Sequence, residues 1–190
     1  RLGIKFDKEY FESEIYDSGK DIVEKGLKKG IFRKKEGAII AELEKYKLPD
    51  KVLIKSDGTS LYMTQDIYLA KLKEEEFNLD RSIYVVMSEQ DNHFRQLFKI
   101  LDLLGLKTAE KCYHLSYGMV SLPHGRMKSR EGTVVDADDL MDEVHNLSKK
   151  EIKNRHKGLS DKEIEKRAKM ISLGAIKFFM IKFDNITSFS

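Results

Sequence analysis

A chain of 190 residues with 41% hydrophobic and 35% charged side chains has the makings of one folded domain or a lobe of one, and with no run near the roughly 20 apolar residues of a bilayer span it is expected neither to be disordered nor to meet a membrane. Thirty-five Lys plus Arg against 32 Asp plus Glu leave +3, too little for polyanion binding by bulk charge, so any such ligand must be met locally. Cys112 stands alone and no Cys/His spacing matches zinc ligation, so the expected setting is a reducing cytoplasm with no protein-bound metal.

The chain opens at Arg1 without an initiator Met or a leader pattern and closes at Ser190 after the apolar stretch 176–183, and it reads as a fragment. From Arg1 to Pro49, Gly26, Gly30 and Gly37 are expected to interrupt any long helix, with strand-and-turn character around Ile31 to Ile40. Two strand–loop–helix units follow. Val52-Leu53-Ile54 leads through Ser56-Asp57-Gly58-Thr59 into a helix over about 64–77, and the apolar run 83–87 leads into a helix over about 92–104. Five successive apolar residues suit a strand covered on both faces, as in a parallel sheet, while Phe94, Leu97, Phe98, Leu101 and Leu104 make one helical stripe that Gly105 can end. The pattern predicts α/β architecture.

A further strand is expected around Tyr113 to Leu122, then a polar loop containing Arg126-Met127-Lys128-Ser129-Arg130, then a helix restarting near Asp138. Residues 131–143 carry six acidic and no basic side chains, whereas 148–169 carry nine basic and four acidic. Such a block suits a solvated insertion, and its basic excess could also face RNA. The last helix is expected to start at a cap on Ser160 or Asp161 and to bury Ile164, Ala168, Ile171, Ala175 and Phe178 on one face.

Three constellations could carry chemistry. Tyr62 and Asp66 share one side of a helical path where a strand hands over to a helix. An aromatic ring with a hydroxyl beside a carboxylate suits a guanidinium, and the segment 56–66 also suits a turn made by Asp57-Gly58 with a helix-dipole contact from Asp66. Ser88-Glu89-Gln90-Asp91-Asn92-His93, at the carboxyl end of the 83–87 strand, could hydrogen-bond a ribose or an amino acid's polar groups, and Asp91 or Asn92 could equally cap the helix. The loop at 125–132 brings Arg126, Lys128 and Arg130 together with Ser129. Cations there could close over a triphosphate, or the segment could be an exposed charged turn. It is not a P-loop. Cys112 reads as a core or strand residue.

Taken in order, Lys55-Ser56-Asp57-Gly58-Thr59, Tyr62-x-Thr64-x-Asp66-Ile67, Glu89-Gln90-x-x-His93-Phe94-x-Gln96 and Gly125-Arg126-Met127-Lys128-Ser129-Arg130-Glu131-Gly132-Thr133 resemble arginyl-tRNA synthetases over nearly the whole chain. The resemblance implies a Rossmann-like parallel sheet with flanking helices, the later half of a class I catalytic domain. Within it, 1–50 would be a connective insertion, 51–145 the second half of the domain with the KMSKS-like loop, and 146–190 a charged insertion and a helix leading towards the anticodon-binding domain.

By the same resemblance, Tyr62 and Asp66 hold the substrate guanidinium, and Gln90 holds the amino or carboxylate end of arginine. Glu89 touches the ATP ribose, His93 and Met127 belong to the ATP site, and Gly118, Met119 and Val120 meet adenine largely through backbone. Arg126, Lys128 and Ser129 serve the phosphates. Here Arg126 replaces the first lysine of the KMSKS signature and Lys128 its first serine. The implied substrates are L-arginine, ATP with Mg2+, and tRNA(Arg), handled by a cytoplasmic, monomeric parent enzyme that binds no membrane. A HIGH signature is absent from these 190 residues, so the piece alone is expected to be inactive. The alternative is a non-catalytic paralogue that binds arginine or RNA.

Overall fold

A computed structural model of the chain describes residues 1–120, 135–185, 187 and 188. They divide into two units, Lys5–Ser116, and Tyr117–Ser190 with Arg1–Ile4.

The first unit begins with a short helix α1 (Glu12–Ile15) and α2 (Lys20–Lys28). No long helix forms before Pro49, as expected, although Gly26 lies inside the nine-residue α2. A Cβ there would stand 2.4 Å from the ring of buried Phe32, so packing requires glycine at that position. Strands β1 (Arg33–Lys35) and β2 (Ala38–Ala41) form a hairpin in the register Arg33↔Ile40. Its two turn residues, Glu36 and Gly37, both have positive φ, the pattern of a tight two-residue hairpin loop. A 3-10 turn leads to β3 (Lys51–Ile54), which pairs antiparallel with β2 across an irregularity at Ile39/Ile40.

Helix α3 (Tyr62–Phe77) follows β3 and is the centre of the unit. No residue from 63 to 74 is exposed, and Met63, Ile67 and Ala70 are fully buried with Leu53, Leu97, Ile100 and Leu101. A helix covered on more than one side carries no single apolar stripe, and its buried Thr64 and Gln65 must find partners.

Strand β4 (Ser82–Met87) runs through a 3-10 turn into α4 (Asp91–Leu103), and after a second 3-10 turn β5 (Cys112–Tyr117) pairs with β4. The result is mixed α/β, with small parallel and antiparallel sheets. The expectation that 83–87 is covered on both faces is corrected here: Ile83 is 54% and Val85 62% exposed. Tyr84 packs on Phe94 and Phe98 of α4, so one face of β4 is covered and the other is more than half exposed at Ile83 and Val85. Gly105 ends the helical region at φ +70°, as anticipated.

The second unit is built on α5 (Ala137–Arg155), capped by the Asp136 carboxylate, and α6 (Asp161–Ile181), capped by the Ser160 hydroxyl. Ile152, Ile164 and Ala168 are buried together with Leu159 against them. The α6 stripe departs from expectation. Ile171, Ala175 and Phe178 are exposed, and Ser172 takes the buried position after Ala168, because only the amino-terminal half of α6 packs on that small core. Within the basic block, Lys149 pairs with Glu165 at 2.7 Å, Lys153 with Asp161 at 3.6 Å and Arg167 with Glu163 at 2.8 Å. Such exposed pairs are the signature of a solvated helical face. No helix among the described residues is long and apolar enough to cross a membrane.

The tightest approach in the first unit is at Gly19, where a Cβ would stand 2.1 Å from the Thr64 carbonyl oxygen. Gly19→Ala is therefore expected to cost about 1–3 kcal/mol by forcing α2 and α3 apart. Gly158→Ala, with open space around its Cβ, should change stability by less than about 0.5 kcal/mol. Chemical unfolding of the two variants measures the contrast.

Candidate functional site

The segment between β3 and α3 is a closed turn. Lys55 N–H donates to the Thr59 carbonyl at 2.9 Å and Gly58 N–H to the Lys55 carbonyl at 3.0 Å, with Gly58 at φ +83°. The Asp57 carboxylate accepts the Thr59 N–H at 2.9 Å, and this bond holds its carboxyl below the usual carboxylate range. Ser56-Asp57-Gly58-Thr59 is thus the turn that its sequence allows.

That turn delivers α3 against β3 by a shared acceptor. The Leu53 carbonyl takes the Leu61 N–H at 3.1 Å and the buried Thr64 hydroxyl at 2.7 Å, using both lone pairs. Tyr62 opens α3 and is 71% exposed. Asp66, one turn on, is the fifth helical residue and lies beyond the first turn, so the helix-dipole contact considered for it does not apply. Its carboxylate Oδ2 instead lies 2.6 Å from His93 Nε2.

His93 comes from the second strand–helix unit. The segment 88–92 at the end of β4 is exposed, with Glu89 and Gln90 on it. Capping by Asp91 or Asn92 does not occur: the N-cap of α4 is Gln90, with no side-chain cap bond. Asp91 reaches β5 instead. Its Oδ1 accepts the Ser116 hydroxyl at 2.9 Å and lies 3.3 Å from His114 Nδ1. His114 Nε2–H donates to the Val86 carbonyl at 2.9 Å, and its ring stacks on Phe94 at 4.4 Å. Farther along α4, buried Gln96 donates to the Pro49 carbonyl at 2.8 Å. The polar end of β4 is therefore bolted to its neighbours by His114, Ser116 and Gln96. His114 and Ser116 carry a period-2 signal on β5 that sequence reasoning did not use.

In the first unit, then, the structure brings Asp66 and His93 into direct contact and sets Tyr62 one turn from Asp66, with Glu89 and Gln90 at the adjoining strand end. Gly118, Met119 and Val120 belong to the other unit. There Gly118 N–H donates to the Asn185 carbonyl at 2.7 Å and Met119 N–H to the Ser188 hydroxyl at 3.1 Å. A Cβ on Gly118 would stand 2.5 Å from the Thr187 carbonyl carbon, so only glycine fits that approach. Arg126, Met127, Lys128 and Ser129 lie outside the described residues. Burial pushes the Cys112 thiol up, against a role as nucleophile. Among the described residues no group of three or more His, Cys, Asp or Glu side chains could hold a metal ion.

Comparison with known proteins gives one consistent answer. The family model for tRNA synthetases class I (R), catalytic domain, matches residues 2–190. The chain is 50% identical over 185 residues to the arginine-tRNA ligase of Treponema denticola, covering 96% of this chain and 31% of that protein. It is 48% identical over 187 residues to the arginine-tRNA ligase of Bacteroides thetaiotaomicron, covering 97% and 31%. Among solved structures, arginyl-tRNA synthetase from Plasmodium falciparum aligns with a TM-score of 0.80 at 21% identity, covering 98% of this chain and 31% of that one. The Thermus thermophilus arginyl-tRNA synthetase aligns with a TM-score of 0.75 at 20% identity, covering 94% and 35%. These last two likenesses are of fold. The chain spans about a third of the length of the curated relatives it matches.

The Thr64 hydroxyl decides where Tyr62 and Asp66 stand. Thr64→Val puts a methyl where the hydroxyl lies 2.7 Å from a carbonyl oxygen, so the variant should lose about 1–3 kcal/mol of stability. Thr64→Ser, which keeps the hydroxyl, should lose less than about 1 kcal/mol. Unfolding midpoints in urea separate the two.

Proposed function

Because the chain belongs to the family of class I arginyl-tRNA synthetase catalytic domains, we propose that it is the later part of the catalytic domain of an arginine-tRNA ligase. The observation that carries the reading is the Asp66 carboxylate. It is held by one hydrogen bond, is a third exposed, and stands one turn from an exposed tyrosine. A fixed, partly desolvated carboxylate beside an aromatic hydroxyl suits a planar cation better than a water-filled surface does.

In this reading Tyr62 and Asp66 bind the guanidinium, and Gln90 orients the amino or carboxylate end. Glu89 meets the ATP ribose, and the 118–120 strip meets adenine. A carboxylate oxygen of arginine attacks the α-phosphorus of ATP, the bond to the β-phosphate oxygen breaks, and pyrophosphate leaves. Arg126 and Lys128, with the Ser129 hydroxyl, stabilise the charge that builds on the departing phosphates; Arg126 offers a bidentate fork in place of a lysine, and Lys128 a point charge. Magnesium carried on the ATP phosphates would supply further neutralisation of the same charge. A terminal ribose hydroxyl of tRNA(Arg) then attacks the activated carbonyl, loses its proton, and AMP departs. The residues of this chain position and stabilise; none of them needs to become covalently attached.

The exposed Ile83 and Val85 on β4 suit a sheet face that other elements cover in a longer Rossmann-like domain, to which the HIGH segment would also belong. The segments 1–50, 51–145 and 146–190 then act as connective insertion, second half of the catalytic domain and charged insertion. We expect the 190 residues by themselves to be inactive, and the whole enzyme to be a cytoplasmic monomer.

In the full-length protein, Asp66→Ala removes a hydrogen-bonding partner of a charged group, a loss of about 1.5–3 kcal/mol. The KM for arginine should then rise roughly 10- to 140-fold, while the loss of His93's partner should lower stability by no more than about 1–3 kcal/mol. An unchanged arginine KM would place the guanidinium elsewhere and sink the assignment.

A further inference from the structure

We infer that His93 is a positioning residue of the guanidinium site, holding the Asp66 carboxylate and tying together the two helix starts that carry the two ends of the arginine substrate. This rests on the arginine reading of Tyr62 and Asp66. It differs from the ATP-site role that the resemblance implies for His93.

The contact is short and chemically one-sided. His93 Nε2 and Asp66 Oδ2 are 2.6 Å apart, and an ionised carboxylate only accepts, so the imidazole donates through Nε2–H. Both side chains are partly withdrawn from solvent, 17% exposed for His93 and 33% for Asp66. The ring is set edge-on to Phe94 at 87° with centroids 5.4 Å apart, and Phe94 is itself buried. His93 is therefore aimed by packing, and Asp66 is aimed by His93.

The partners lie 27 residues apart, on α3 and α4. Each helix start has its own anchor: Thr64 on the Leu53 carbonyl for α3, and Asp91 with Ser116, together with Gln96 on Pro49, for α4. The His93–Asp66 bond closes the space between those two anchored starts. Tyr62 and Asp66 stand on one side of it, and Gln90 stands one turn before His93 on the other. The bond therefore sets the separation between the group that would read the side chain and the group that would read the reacting end.

The donor's identity matters as well as its place. An imidazole holds one carboxylate oxygen through a single N–H and leaves the other oxygen available to a cationic ligand, whereas an arginine at this position could take both in its fork. Pinning one oxygen also removes side-chain freedom that the ligand would otherwise have to freeze out on binding.

The test uses the full-length enzyme with tRNA present and reads KM for arginine, KM for ATP and kcat separately. His93→Phe keeps an aromatic ring against Phe94 but has no donor, and His93→Gln keeps an N–H at about the place of Nε2. His93→Phe is expected to raise the arginine KM about tenfold, with ATP KM and kcat within about threefold of the parent. His93→Gln should recover most of that loss. In an Asp66→Ala background, His93→Phe should add nothing further.

A raised ATP KM with an unmoved arginine KM would overturn the inference in favour of a direct ATP contact. Equal losses in the Phe and Gln variants would overturn it in favour of packing alone, and an unmoved arginine KM in His93→Phe would remove the role altogether. Asp66→Ala separates this inference from the reading beneath it. If that variant loses arginine while His93→Phe does not, only the His93 role falls. If Asp66→Ala keeps arginine, the guanidinium assignment falls and takes the His93 role with it.

Discussion

A single carbonyl oxygen, that of Leu53 at the end of β3, accepts both the Leu61 N–H and the Thr64 hydroxyl, and the placement of α3, with Tyr62 and Asp66 on it, depends on it. It fixes the first turn of α3 on the strand. The backbone of Gly19 closes against the same turn, near enough that a Cβ would stand 2.1 Å from the Thr64 carbonyl oxygen. Helix α3 then has no freedom to rotate, because residues 63–74 are all at least partly covered. A buried helix with buried polar groups gains uniqueness from satisfying them, since a slipped register would strand Thr64 and Gln65 without partners.

From that anchor the site follows by short covalent steps. Tyr62 and Asp66 sit on the exposed and half-exposed side of a helix whose other sides are committed to the core. The second cluster, at the end of β4, is fixed by an independent set of bonds from β5 and from the loop before β3. Each half of the site thus stands on regular structure, with only short side chains left to aim. Such rigidity suits a reaction in which the protein orients substrates and offers fixed charge.

Much of this was legible in the residues. The apolar run at 83–87, the stripe from Phe94 to Leu101 and the glycine at 105 located β4 and α4 to within a residue or two, and the ordered motifs identified the family. What was not legible depends on distant partners. Nothing local to 83–87 tells that Ile83 and Val85 stand more than half exposed, because a continuous apolar run reports what a strand wants to bury and not what reaches it. The helical period of α6 continues to Phe178, but the core it packs on stops near Ser172. The bond between Asp66 and His93 joins residues 27 apart on different helices, which no window of periodicity spans. Capping failed as a guide at Asp91 for a similar reason. Its carboxylate has a better offer from Ser116 on β5 than from the helix it begins.

In the proposed reading the Asp66 carboxylate selects a guanidinium for activation by ATP. The most direct measurement is ATP–pyrophosphate exchange by the full-length protein in the presence of its tRNA, with arginine, lysine and citrulline compared. Citrulline matches the shape of arginine and lacks its charge, so a site built on Asp66 should support exchange with arginine and with neither of the others. Exchange that is equal with citrulline, or none with arginine from a folded protein that still binds it, would contradict the account.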